Sequence, residues 1–193
     1  ASNGLRGEMP DLRMNSNGKP DPSRATKISE GVYQGDGWTY EIGIASDTLT
    51  LESGKYDFNY TVPGFRNNES THDPSDDHLN CVNVVNIVVQ PGATIVGGVF
   101  EEIRLLNYGT VTNGLFRGTN VENHGKLNCL FSPNPNNSKP TGIGTIECHS
   151  LTAADNSSVE VLLYSFGNTE TMYSGGTFYF TGTPKLTVRL YNT

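Results

Sequence analysis

The sequence predicts an all-β chain: a parallel β-helix of short coils, about 16–19 residues each, behind an N-terminal β cap. Three observations carry that expectation. The 193 residues include 22 Gly, 20 Asn and 20 Thr but only six Ala and two Gln, so turn and strand formers abound while strong helix formers are scarce. Glycines recur at Gly92, Gly109, Gly125 and Gly144, at intervals of 17, 16 and 19 residues. Apolar residues recur at matching offsets from those glycines. A segment this short cannot bury its own apolar face, so neighbouring segments must stack. At about 3.3 Å per residue, 16 residues trace a lap of roughly 50 Å, and parallel laps rest about 4.8 Å apart.

Three stretches follow one another along the chain. Residues 1–25 are polar, with Pro10, Gly18, Pro20 and Pro22, and read as a tail. Residues 26–80 read as a β-rich cap followed by a loop. Val32-Tyr33, Trp38-Thr39-Tyr40, Thr48-Leu49-Thr50-Leu51 and Tyr56-Asp57-Phe58 alternate between Gly-containing turns, the pattern of strand, turn and strand. Residues 63–79 form a polar loop, long for a connection inside a compact domain.

Residues 81–193 carry the β-helix. Laying the four glycines over one another places Ile95, Val111, Leu127 and Ile146 in one inward column. Phe100, Phe116 and Phe131, with Leu151, form a second. Asn107 and Asn123 each precede a turn glycine by two residues, and stacking would let their amides bond along a ladder. The glycines are expected to turn corners that need positive φ. A β-sandwich with recurrent turn residues is the plain alternative, but it predicts alternation without residue-to-residue registration.

Composition also excludes function classes. Lys plus Arg number 13 and Asp plus Glu 20, a net charge of −7, with no basic run to neutralise phosphates, so nucleic acid is a poor partner. No apolar run approaches the roughly 20 residues of a membrane helix. Ala1 is followed by polar residues without an apolar signal core, as in a cytosolic chain or a mature or excised segment of an exported one.

The string Gly97-Gly98-Val99-Phe100, followed by Asn107-Tyr108-Gly109-Thr110-Val111, resembles the short tandem repeats of surface-exposed proteins of Gram-positive, mostly gut-dwelling bacteria. The segment from Asp36-Gly37-Trp38 to Glu52-Ser53-Gly54 resembles the stretch that precedes such repeats, and Gly175-Gly176-Thr177-Phe178 repeats the theme. The resemblance spans about residues 36–131. It implies an exported, right-handed β-helix with adhesive or scaffolding use, and it supplies no catalytic residue.

Several constellations carry potential chemistry. His72, Asp73, Asp76, Asp77 and His78 could offer oxygen ligands to Ca²⁺ or mixed ligands to Zn²⁺, but their spacing fits no standard loop and a solvated acidic loop is the plainer reading; otherwise no cofactor is expected. Tyr33, Trp38 and Tyr40 form a candidate platform for stacking sugar rings, unless Trp38 caps the first coil. Glu101, Glu102 and Glu122 are the carboxylates a glycan-cleaving groove would draw on, but Glu101 and Glu102 are adjacent and point to opposite faces of a strand. Cys129 and Cys148 each lie four residues after a turn glycine, so registered coils would stack them within disulfide range.

The expected function is an extracellular or cell-surface scaffold or adhesin module without catalytic activity. Host or bacterial surface glycans or proteins are its expected partners. A carbohydrate-active β-helix, binding or cleaving glycans, is the first alternative. A phage or spore surface component is the second. Ligand, anchoring mode and oligomeric state are not written in the sequence.

Overall fold

The computed structural model describes residues 9–58, 61, 81–112, 114–128, 146–147, 150–154, 157–165, 172–174 and 185–192. The chain is all-β, about 60% strand with almost no helix. A 3-10 turn at Pro22–Arg24 precedes strands β1 (Thr26–Ser29), β2 (Val32–Gln34), β3 (Trp38–Ile42) and β4 (Asp47–Asp57). Then come β5 (Asn86–Gly97), β6 (Val99–Glu101), β7 (Arg104–Asn107), β8 (Thr110–Thr112), β9 (Gly114–Arg117), β10 (Asn120–Asn123) and β11 (Lys126–Asn128). The last are β12 (Ile146–Glu147), β13 (Ser150–Ala153), β14 (Ser158–Ser165), β15 (Met172–Ser174) and β16 (Lys185–Asn192).

Pairing changes character at β4. Strands β1 to β4 form an antiparallel meander. From β4 to β5 onward the pairing is parallel, except between β14 and β15. Thirteen strands join one mixed sheet that does not close on itself, and β12, β9 and β6 form a second, parallel sheet. The all-β class expected from the sequence is thus present, while a closed parallel β-helix is not shown by this mixed, open sheet.

Within the parallel region, three stacks run side by side. One places Ile87, Leu105, Val121 and Leu151 in register. The next aligns Tyr56, Ile95, Val111, Leu127 and Val159. The third sets Phe100 on Phe116. All of these are buried in one continuous core. Buried and less buried residues alternate along much of β5 and along β7 and β10, so one set points inward while the next faces outward. The rings of Phe58 and Phe100 meet edge to face at 5.1 Å, and those of Phe100 and Phe116 stack at 4.5 Å. Such aromatic pairs contribute about 0.5–1.5 kcal/mol each beyond area burial.

Two placements correct the sequence reading. Ile146 does not extend the Ile95, Val111, Leu127 column; it pairs with Gly114 in the second sheet, and Val159 takes the place above Leu127. Leu151 stands on Val121, not in the phenylalanine column. Gly114 pairs with Ile146 and Lys126 with Ser158, partners 32 residues apart, so past β11 the interval between paired residues is no longer sixteen and glycine spacing stops predicting register. Phe131 lies outside the described residues.

The corner glycines also work differently from the expectation. Positive φ occurs at Gly98 and Gly114 and at other turns, but not at Gly92, Gly109 or Gly125. At Gly109 a Cβ would overlap the carbonyl oxygens of Gln90 and Ala93, and at Gly125 that of Gly109. Close approach of successive backbones, rather than φ, demands glycine there.

The same corner carries the buried amides. Asn107 Nδ2 donates to Asn123 Oδ1 at 2.9 Å and to the Lys126 carbonyl at 2.9 Å. The Gly109 and Gly125 N–H groups donate to Asn107 Oδ1 (3.1 Å) and Asn123 Oδ1 (3.2 Å). Asn123 Nδ2 continues the ladder to the Ser158 carbonyl at 3.2 Å. Both side chains are fully buried. Among the described residues, every buried side-chain nitrogen and oxygen has a partner.

Residues 9–25 are docked rather than a free tail. Leu12 and Met14 enter the core, the Met14 N–H donates to the Thr61 carbonyl, and the Gly18 carbonyl accepts from the Asn83 N–H. A clasp closes the arrangement. Asp47 is buried and accepts from Lys19 Nζ (2.7 Å), Tyr40 Oη (2.5 Å) and the Val85 N–H (2.7 Å). Burial alone pushes the Asp47 carboxyl up, but the hydrogen bonds from Lys19, Tyr40 and Val85 and the Lys19 charge outweigh it and hold it below the usual carboxylate range. Burial, with the adjacent carboxylate, pushes the Tyr40 phenol upward.

Two outcomes follow from these contacts. Asn123→Ala removes one rung and leaves Asn107 Nδ2 and the Gly125 N–H without that acceptor, so stability falls by about 1–3 kcal/mol in urea denaturation. Because the Asp47 carboxyl is lowered in the fold, its stabilisation is complete above about pH 4, where an unfolded aspartate is ionised, and is lost as pH falls through the lower folded value. Asp47→Asn removes that contribution, so its stability relative to the parent improves as acid is added; parallel pH–denaturation curves for the two proteins would contradict it.

Candidate functional site

The strand alternation that buries one face exposes the other, and exposed chemistry collects on the outer side of the β7 and β10 stack. Arg104 and Asn120 align, Leu106 aligns with Glu122, and Thr152 of β13 continues the second row. Just past the strands, Tyr108 and His124 follow the buried Asn107 and Asn123. Their rings stack at 4.8 Å with planes 15° apart, and Tyr108 is 41% exposed. His124 Nε2 lies 3.1 Å from Glu122 Oε2, and Arg104 Nη2 lies 3.9 Å from the other carboxylate oxygen. Four side chains from two laps thus form one ridge of rings and charges.

Each part of the ridge has a local cause. The Tyr108 N–H bonds the Val89 carbonyl and the His124 N–H bonds the Asn107 carbonyl, so the two residues share one position on successive laps. The corner glycines behind them let those laps approach closely. An imidazole beside a carboxylate is a proton-transfer pair in principle. Among the described residues, the pair stands on an exposed sheet face without a wall to shield a reacting group from water.

The carboxylates expected of a cleaving groove are dispersed. Glu101 aligns with Arg117. Glu122 serves Arg104 and His124. Glu102 is exposed at a corner with φ of 52°, in the left-handed region, and its Cγ covers Gly118 (φ 58°) on the next lap. The two residues occupy equivalent corners, sixteen residues apart.

The aromatic platform expected of Tyr33, Trp38 and Tyr40 is not presented to solvent. Trp38 is fully buried, with the Gly35 backbone against its indole and Nε1 donating to the Asp11 carbonyl at 3.0 Å. Tyr40 is buried on the Asp47 clasp, and Tyr33 is half-buried against the core. Alternation put Trp38 and Tyr40 on one face, and that face turned inward because it pairs with Leu51 and Leu49. Trp38 packs into the core instead. A shallow open depression of about 430 Å³ lies nearby, lined by Asp11, Arg24, Gln34 and Asp36 among others.

His72, Asp73, Asp76, Asp77 and His78 lie outside the described residues, as do Cys129 and Cys148. Among the described residues, no group of three or more His, Cys, Asp and Glu side chains is gathered as for a metal ion, and no helix is long and apolar enough to cross a membrane. The sequence reading missed the Tyr108–His124 pair. The available signal was their shared offset, each directly after a ladder asparagine.

The strained corner yields a direct test. Replacing Glu102 by glycine is expected to raise unfolding stability by about 1 kcal/mol, because the left-handed conformation then carries no Cβ penalty. Glu102→Ala retains the penalty and gives no such gain; equal denaturation midpoints for the two variants would show that φ is not the cause.

Comparison of the chain with protein-family models, curated proteins and solved structures finds no match.

Proposed function

We propose that the chain is a module of an extracellular or cell-surface β-helical scaffold, used for adhesion and without catalytic activity of its own. In this reading the three parallel stacks are faces of a right-handed solenoid, and the antiparallel meander with residues 9–25 is its cap. The observation that carries the reading is the sixteen-residue registration of Leu105 with Val121, Val111 with Leu127 and Phe100 with Phe116. Stacked laps build an elongated body whose outer side chains are free for contact, which suits display at a surface. Dispersal of Glu101, Glu102 and Glu122 among basic partners and corners supports a non-catalytic role.

Two measurements examine this proposal. Antibodies raised against the chain should label intact source cells, and the purified chain should release no reducing ends or unsaturated products from a polysaccharide panel. Labelling confined to permeabilised cells would overturn the surface role, and measurable turnover would overturn the non-catalytic one.

A further inference from the structure

We propose that the ridge formed by Tyr108 and His124, with Glu122 and Arg104 beside it, is a binding site for a glycan. The inference rests on the adhesive reading above and deepens it by naming the ligand class and its place.

The ridge is built and held before any ligand arrives. Tyr108 and His124 each follow an asparagine of the buried ladder and precede a close-packed corner glycine, so their backbones are fixed by neighbouring laps. Stacking at 4.8 Å orders the rings, and Glu122 at 3.1 Å orients the imidazole. Little side-chain freedom remains to be lost on binding.

Its chemistry is that of sugar recognition. A pyranose presents apolar C–H patches, which rest on aromatic rings, and equatorial hydroxyls, which bond to planar charged groups. The ridge offers both ring surface and a phenol, an imidazole, a carboxylate and a guanidinium. The lap above His124 carries Ala154 at the equivalent position, a methyl group in place of a third ring. The lap below Tyr108 carries Gln90, a further hydrogen-bonding side chain at the ridge's edge. Beyond the ridge, Asn120 and Thr152 are exposed, at strand spacings of about 4.8 Å, so an extended oligosaccharide can follow the stack. The mixed charges and the overall −7 favour a neutral polyhydroxylated ligand over a polyanion.

The test is a glycan array of mucin-type O-glycans, N-glycans and β-linked cell-wall oligosaccharides, followed by calorimetric titration of the best-scoring oligosaccharide. Tyr108→Ala and His124→Ala should weaken binding about tenfold each. Arg104→Ala leaves the ring pair intact and should also weaken binding, which separates a lost contact from a disturbed lap. The pair Arg24→Ala and Asp36→Ala in the distant depression should bind as the parent does. Unchanged affinity in the three ridge variants overturns the site, as does loss confined to the depression variant. Absence of binding to every array glycan by the folded parent overturns the ligand class. Adhesion of non-adherent cells displaying the chain is measured alongside: adhesion without glycan binding leaves the surface reading standing and sinks this one alone.

Discussion

Hydrogen bonding between neighbouring parallel strands sets which way the described side chains from β5 to β11 point. A parallel ladder offers many registers of nearly equal backbone energy, and a slip by one residue would turn the apolar set outward. The corner at Asn107 and Asn123 selects one of them. Both amides are buried, and they reach acceptable partners only when residue 107 lies directly beneath residue 123. Any other register strands a buried amide, at a cost comparable to a large share of a domain's net stability. Glycine just beyond each asparagine removes the side chain that would hold the laps apart. Polar satisfaction and close approach thus act at one place, and the phenylalanine and aliphatic columns fall into line as a consequence.

The other end of the molecule solves a different problem. Trp38, Leu12 and Met14 are buried in the core, and the Asp47 carboxylate ties the segment carrying Lys19 to the starts of β4 and β5. A single buried acceptor here serves groups 28 and 38 residues away in sequence. Such convergence specifies how the cap sits as well as how tightly it is held, since a carboxylate with fewer donors would be a buried charge without compensation.

Function in this architecture is confined to what the laps leave outside. The inward columns are committed to packing, including the one tryptophan, and the recognition proposed above rests on outward residues that share a position on neighbouring parallel strands. Tyr108, His124, Glu122 and Arg104 meet because sixteen residues separate equivalent points, although in sequence they look unrelated. Registered strands can therefore gather residues that carry no local motif onto one exposed ridge.

The all-β character and the registration of Val111 with Leu127, Phe100 with Phe116 and Asn107 with Asn123 were determined by sequence alone, because the sixteen-residue interval these pairs share and a composition of turn and strand formers are local, countable properties. Three things were decided only in the tertiary structure. Ile146 stands on Gly114 because past β11 paired residues lie 32 apart in sequence instead of sixteen, and glycine spacing alone cannot reveal such a change. Trp38 and Tyr40 turned inward because strand alternation defines two faces but burial depends on what covers each. Leu12, Met14 and the Asp47 clasp were invisible for the same physical reason: isolated residues acquire a role only when distant segments are brought against them.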